Sequence, residues 1–345
     1  MNNPRVTCGL PTKNRHRSLA QTLQSVVFQT SPELDLIIVD DSESPPDLRE
    51  DPMFQNLFRL MNERKMDWRV IYGPKLGQHI CHQIIQDEAR TELIWRIDDD
   101  EIAEPNVLAS LVWEMRTKGN VGAVGGLVLT PPPAVLPNSL KTNLIAQPDN
   151  NVQWYSTNGS EQDISVEHLH STFLYRKGIA RYETGLSPAA HREETLFTHE
   201  IKRAGYDLWV IPLVRTWHLR AGYGGIRSHQ NPQFWVDDEK LFQTKLAEWG
   251  VTQEKTKVCV LDCGKGDHIV FKSILPLLRA KGYKRIIVAS CYDDVFKGWD
   301  IELISIADAI ARYGNIDRFN IYRAMIDWSW KSSLQDAYRK LYVED

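Results

Sequence analysis

The chain has 345 residues, 42% of them hydrophobic and 25% charged, and a formal net charge of -4. This composition excludes a disordered chain, and the length calls for about two domains. The slight acidic balance leaves no overall basic footprint for nucleic acid, although a local patch stays open. No stretch approaches the ~20 apolar residues that cross a bilayer.

Five cysteines, Cys8, Cys81, Cys259, Cys263 and Cys291, make an odd count without CxxC spacing. No zinc-spaced partners accompany them, so reduced thiols are expected. The opening "MNNPRVTCGLPTKN" lacks an apolar signal core. The expected location is cytoplasmic, with peripheral membrane contact left open.

In chain order, "RVTCGL" reads as a short buried strand. "SLAQTLQSVVFQ" has Leu19, Leu23, Val26 and Val27 at helical spacing, with Ser18 as candidate N-cap. "LDLIIVDDS" is a continuous apolar strand ending in Asp40 and Asp41, and "WRVIYG" is another strand. "GQHICHQIIQDEA" reads as a helix. "ELIWRIDDD" is a strand that ends in acids, and "EPNVLASLVWEMRTKG" is a helix with Pro105 near its start and Gly119 past its end. "VGAVGGLVL" follows as a strand. Strands alternating with helices predict a mostly parallel α/β sheet, with ligands outside the carboxyl ends of the strands.

Residues 131 to 165 are proline-rich at "TPPPAVLPN" and read as a long loop, with a short strand at "NVQWYS". "HLHSTFLYRK" resumes strand character. "EETLFTHEIKRAGY" is a helix closing on Gly205, and "DLWVIPLVRTWHLR" is a strand pair or one bent strand. "AGYGGIRSHQNP" is loop-like. A domain boundary falls near residues 250 to 256, giving domains 1–250 and 257–345. In the second, "KVCVLDCGKGDHIVFKSILPLLRAKGYKRIIVAS" forms one βαβ unit, and "ELISIADAIARYG" and "SLQDAYRKLYV" read as helices.

The acids in "WRIDDDEIAEP" carry the chemistry. Strand residues two apart share a face, so Asp98 and Asp100 project together and Asp99 projects away. Two carboxylates at a strand end suit Mg2+ or Mn2+, which share their shell with substrate phosphates. A solvated acidic loop, or acids favoured at a helix N-terminus, is the alternative.

Five segments in order resemble the family 2 glycosyltransferases, which have the GT-A fold: "VTCGLPTKNR", "LIIVDDSES", "LIWRIDDDEIAEPN", "HREETLFTHEIKRAGYDLWVIP" and "VRTWHLR". The resemblance covers residues 5 to about 225. It implies a GT-A nucleotide-diphospho-sugar transferase fold, α/β with a mostly parallel Rossmann-like sheet, and a smaller C-terminal α/β domain. It implies an inverting, metal-dependent transfer of a sugar from a nucleotide-sugar donor, a UDP-sugar first among the candidates. The acceptor is a hydroxyl on a glycan, a lipid-linked molecule or another compound. Asp98 and Asp100 match the DxD acids and His218 a later metal- or diphosphate-contacting His. Glu193-Glu194 stands where the family usually has Glu-Asp, a departure that shifts the carboxylate by one methylene. Lys13 stands where an aromatic is common.

The expected metal ligands, for Mn2+ or Mg2+, are therefore Asp100, Asp98 and His218. The candidate base is Glu194, at a helix start that favours an ionised carboxylate, with Glu193 as runner-up. The candidate donor contacts are Pro11, Thr12, Lys13, Arg15, Asp40, Asp41, Lys75, Gly77, Asp98 and Asp99. Trp154, Tyr155, Trp217 and Tyr223 serve either to stack on an acceptor sugar or to fill the core.

"CGKGDHIVFKSILPLLRAKG" resembles the start of a heptosyltransferase-like Rossmann unit, and a tight βα turn explains its glycines equally. The rival functions are a nucleotidyltransferase, for which "PTKNRHR" lacks a glycine loop, and a non-catalytic nucleotide- or sugar-binding protein.

Overall fold

The computed structural model describes residues 5–30, 33–129, 163–226, 230–251, 256–306 and 333–343, together with Ala309, Ile321 and Met325. The strand expected at "NVQWYS", with Trp154 and Tyr155, lies outside them. The described residues divide into two compact units between Trp249 and Gly250.

The first unit is built on one large sheet. Its strands are β1 (Val6–Thr12), β2 (Leu34–Asp40), β3 (Trp68–Tyr72), β4 (Leu93–Arg96), β5 (Glu101–Ala103), β6 (Val121–Leu129), β7 (Ile164–Ser165), β8 (Phe173–Arg176) and β9 (Asp207–His218). The spatial order is β3-β2-β1-β4-β8-β6-β9-β5, and β7 pairs with β9. β3, β2, β1 and β4 are parallel. β8 runs antiparallel to both β4 and β6, and β6 and β9 are parallel. The sequence order reverses between β1 and β4, the switch point at which α/β sheets bind ligands. The expected α/β class is therefore observed, with β8 and β5 as antiparallel insertions that periodicity does not reveal.

The helices are α1 (His16–Val27), α2 (Pro52–Glu63), α3 (Gln78–Glu88), α4 (Val107–Thr117), α5 (Glu193–Arg203) and α6 (Pro232–Glu248). α1 buries Leu19, Leu23, Val26 and Val27, the stripe read from the sequence. It begins two residues before Ser18, so Arg15 and not Ser18 is its N-cap; Ser18 Oγ donates instead to Arg15 O. α2 escaped the sequence reading despite a clear start: the Asp51 carboxylate accepts from Met53 N at 2.8 Å and Pro52 follows it. α6 also escaped it. α3 lies directly on β1, because a Cβ at Gly9 would collide with Ile85. That approach brings the first residue of α3, Gln78, to the carboxyl ends of β1 and β4. "DLWVIPLVRTWHLR" is one strand, with a register shift opposite Gly126 and Leu127.

The core of this unit joins the undersides of α1, α2 and α4 to β1, β2, β4 and β6. Leu10, Leu23, Ile38, Phe54, Trp95, Leu108 and Val124 are completely buried in it. Burial at roughly 25 cal/mol per Å2 of apolar surface is its main stabilising term.

The second unit has a separate core, with Phe271, Leu278, Val288 and Tyr338 at its centre. Its strands β10 (Thr256–Leu261), β11 (Arg285–Ser290) and β12 (Glu302–Ile304) are parallel in that order. The short helices α7 (Lys265–Phe271) and α8 (Leu275–Ala280) cross from β10 to β11. This is the βαβ unit expected. Glu302–Ile304, read as the start of a helix, is instead β12: its three residues pair with β11, and a short apolar run does not distinguish helix from strand. All five cysteines are free thiols.

Candidate active site at the carboxyl ends of β1, β2 and β4

β4 ends at Arg96, so the alternation of a strand does not carry through the acids that follow. Each acid takes different partners. Asp98 accepts from Gln78 Nε2 at 2.8 Å and has Arg96 Nη2 at 3.5 Å. Asp99 accepts from Thr12 Oγ1 at 2.7 Å and from Arg15 Nη1 at 3.0 Å. Asp100 accepts from Ala221 N at 2.8 Å and has His218 Nε2 at 3.7 Å. Asp98 and Asp100 thus do not share one face, as a continued strand would require.

Glu101, which the sequence reading passed over, opens β5 and stands opposite His218 in the β5–β9 register. Asp98, Glu101 and His218 each offer a ligand atom within 4.8 Å of the others, enough to hold a metal ion. Glu101 is completely buried; Oε1 accepts from Ser171 Oγ at 2.5 Å and Oε2 has no hydrogen-bond partner among the described residues. Burial and the neighbouring Asp98 push the Glu101 carboxyl well above the usual range, and burial raises Asp98 as well. An orphaned carboxylate oxygen among acids is the environment that a hard cation relieves. His218 fits on one condition. Its Nδ1 accepts from Arg220 N at 3.0 Å, which places the proton on Nε2. Ligation through Nε2 requires that contact to yield. Asp100, expected as a ligand, lies beside His218 and outside the group of three.

A cleft opens next to these acids, lined by Thr12, Lys13, Arg15, Asp41, Gly77 and Asp99 among others, and by Pro188 and Ala189 from the segment before α5. Pro11 also lines it. The expected donor contacts thus largely converge. Asp41 is committed twice, accepting from Lys75 N at 2.5 Å and Gly77 N at 3.2 Å. Asp40 is buried and accepts from His16 Nε2 at 2.9 Å and Ser42 N at 3.0 Å. Lys75 projects outward, with Nζ on the Glu43 carbonyl at 2.7 Å. Gly77 has φ +107°, and a Cβ there would collide with the Pro188 carbonyl. Arg15 Nε donates to Tyr223 O at 3.0 Å, and Tyr223 OH accepts from Ser18 N at 3.1 Å, so Tyr223 braces the β1–α1 turn. Trp217 Nε1 donates to Glu104 at 3.1 Å. Burial pushes the Asp99 carboxyl up to about 6, against the pull of Arg15.

Glu193 and Glu194 begin α5, where the helix dipole favours acids. Their environments differ. Glu193 is buried, and Arg96 holds both its oxygens, Nη1 to Oε2 at 2.7 Å and Nη2 to Oε1. Arg96 Nε also donates to Ser171 O at 2.9 Å. Burial pushes Glu193 up, to about 8, and Arg96 opposes it. The two-pronged geometry is that of an ion pair, because a neutral Glu193 would strand the buried guanidinium charge. Glu194 has a side chain one-fifth exposed and accepts from His170 Nδ1 at 2.9 Å. Burial raises it, but His170 and Arg96 outweigh burial and hold it well below the usual carboxylate range.

The start of α5 is fixed from α6. The buried Asp238 accepts from Ser187 N at 2.5 Å and His191 N at 2.8 Å, and Glu239 accepts from Arg192 Nε at 3.1 Å. Arg192 is held at φ +76°, a left-handed conformation that a non-glycine residue adopts at a cost of about 1–3 kcal/mol. Glu101, Arg96, Asp238 and His170 are the contributors the sequence reading missed.

A mixed α/β sheet with an acid cluster and a cleft at its switch point defines an α/β protein whose ligand site lies at the carboxyl ends of its strands. Residues 7–181 match the Glycosyl transferase family 2 family, and the chain belongs to it. The first unit accordingly has the GT-A architecture. Among solved structures, the chain is similar to a mannosyltransferase, PcManGT, from Pyrobaculum calidifontis in complex with GDP-Man and Mn2+. That match has 16% identity and a TM-score of 0.46, over 65% of this chain and 59% of the other. It is also similar to GalNAc-T7 with UDP, GalNAc and Mn2+, at 14% identity and a TM-score of 0.48, over 65% of this chain and 45% of the other. The chain therefore spans about half the length of these structures. No curated protein matches it significantly. Among the described residues, no helix is long and apolar enough to cross a membrane.

Proposed function

We propose that the chain transfers a sugar from a nucleoside-diphosphate donor to an acceptor hydroxyl, with inversion at the anomeric carbon and with a divalent cation. The observation that carries this reading is the convergence, at one sheet end, of Asp98, Glu101 and His218 with the ionised Glu194 and the adjoining cleft. The donor's nucleoside lies in the cleft against Thr12, Lys13, Arg15 and Asp99. Arg15 and Lys13 meet the negative diphosphate, and Asp41 shapes the wall through the backbone of Lys75 and Gly77.

Asp98, Glu101 and His218 would hold Mn2+ or Mg2+, with Asp100 beside them. Bound there, the cation supplies Lewis-acid stabilisation to the leaving diphosphate. Glu194, held ionised and partly open to solvent, and its hydrogen-bond partner His170 serve the proton that the acceptor hydroxyl loses as it attacks. Glu193 is occupied by Arg96 and positions the start of α5. A single attack assisted by a base inverts the anomeric centre. The unit from residue 257 onward is read as accessory, for acceptor binding or partner docking.

Calorimetric titration of UDP, GDP, dTDP and CDP, each with Mn2+ and then with chelator, tests the reading. Metal-dependent binding of one diphosphate is expected and names the donor class, a UDP-sugar being the first candidate. Binding of none by the folded protein would refute the reading.

A further inference from the structure

His170 was not among the residues that the sequence singled out. It lies in a tight turn just before β8. Thr172 N donates to His170 O at 2.6 Å, and Ser171 between them has φ +36°. Three hydrogen bonds tie the turn to Arg96 and Glu101. Ser171 O accepts from Arg96, Ser171 Oγ donates to Glu101, and Thr172 Oγ1 donates to Arg96 O at 2.8 Å. Because β8 runs antiparallel to β4, its beginning lies beside the end of β4. His170 stands one residue before Ser171, whose hydroxyl bonds the proposed ligand Glu101.

Its ring is oriented by Glu194. A carboxylate only accepts, so the 2.9 Å contact is an Nδ1–H donating to Oε1. In the neutral ring that leaves the lone pair on Nε2. Among the described residues, none hydrogen-bonds to Nε2, and the side chain is 31% exposed. This is the arrangement of a base oriented by a third group, in which the acid fixes the tautomer and then stabilises the imidazolium. The strength of the acid supports the same division of labour. Glu194 lies well below the usual carboxylate range, which makes it a weak proton acceptor and a good partner for a cation.

We propose that His170 is the catalytic base, and that Glu194 acts through it as the positioning and charge-stabilising partner. The assignment rests on the transferase reading above. As the acceptor oxygen forms its bond to the anomeric carbon, the bond from that carbon to the diphosphate oxygen breaks and the leaving group takes the electron pair. The acceptor proton passes to His170 Nε2. The imidazolium so formed is paired with the Glu194 carboxylate until the proton leaves to solvent.

The experiment is turnover of UDP-, GDP-, dTDP- and CDP-sugars with Mn2+ and water as acceptor, using whichever donor the wild type hydrolyses. His170→Asn keeps an N–H for Glu194 but has no base. It should lose ~10²–10⁴-fold in kcat with little change in the donor KM. Glu194→Gln should also lose rate, and the double variant should be no worse than the poorer single one, as for residues that act as a unit. His170→Gly should regain turnover on addition of imidazole, with saturation, which a purely structural role does not produce. If His170→Asn keeps its rate while Glu194→Gln is inactive, the base is the carboxylate itself and this assignment is overturned. Absence of imidazole rescue in a His170→Gly that still binds the diphosphate overturns it as well. A wild type that hydrolyses no donor and binds no diphosphate removes the transferase reading, and the assignment with it.

Discussion

Arg96 and Glu193, 97 residues apart in the chain, form a two-pronged ion pair in which both side chains are almost completely buried. Phe173 and Tyr182 flank the guanidinium, with its carbon 5.4 Å and 6.0 Å from their ring centroids. The pair joins the strand that carries the acids to the helix that carries Glu194. Removing one partner leaves an uncompensated buried charge, whereas removing both does not. Arg96→Met or Glu193→Leu should each destabilise the protein by about 3–5 kcal/mol in urea unfolding. The double variant should recover most of that loss; additive losses would contradict the account.

The proposed ion site makes a prediction about Glu101. Asp98→Asn and Glu101→Gln should each weaken Mn2+ binding by at least ~10-fold in calorimetry. Asp100→Asn should weaken it less, because Asp100 accepts from Ala221 N and faces Arg15. The reverse order would assign the ion to Asp100 and leave Glu101 a structural acid.

The His16–Asp40 pair fixes a pH window. The hydrogen bond to Asp40 raises the His16 pKa, so its contribution is complete below the ordinary imidazole value of ~6.5 and is lost as the pH rises through the raised one. Burial raises Asp40, but His16 and Ser42 outweigh it and hold it low. Its contribution is present above the ordinary ~3.9 and is lost as the pH falls through the depressed value. The stability advantage of the wild type over His16→Asn should therefore be greatest between about pH 4 and 6.5 and decline above. For a partly exposed pair it should not exceed ~1 kcal/mol. Urea unfolding at stepped pH measures it, and a difference constant from acid to alkaline pH would count against the pair.

Gly77 is predicted to tolerate no side chain. Its φ of +107° and the Pro188 carbonyl against it mean that Gly77→Ala must displace the Pro188 backbone, which lines the cleft beside it. We expect a loss of about 1–3 kcal/mol in stability and weaker diphosphate binding. Unchanged binding by calorimetry would show that the wall is not part of the donor site.

The two separate cores predict that a chain ending at residue 250 still binds the nucleoside diphosphate with Mn2+. Complete loss in a folded truncation would overturn the accessory reading of the C-terminal unit.

What could be read from the sequence follows from range. The β1 to β4 frame, α2 apart, was legible because its strands and its helices α1 and α3 carry their own apolar periods, as in Leu19, Leu23 and Val26 of α1. Acids at the ends of β2 and β4 were legible for the same reason. The fates of Asp98, Asp99 and Asp100 were not, because β4 stops at Arg96 and the following turn sends each to a different partner. Glu101 joins the cluster only through β9, more than a hundred residues later. His170 and Arg96 acquire their roles from contacts with α5, which no local pattern encodes.

The place of β8 in the sheet governs how the molecule is made. β8 lies between β4 and β6, so β6 has no neighbour on that side until residues 173–176 have been synthesised. Until α5 emerges, Arg96 has no counter-charge from Glu193. A nascent chain can assemble β1 to β4 early, but it cannot close the sheet or bury that guanidinium. The acid cluster is completed only when β9 arrives with His218. The proposed cation site thus comes into being only when β9 pairs with β5, and α6, which fixes the start of α5, follows later still in the chain.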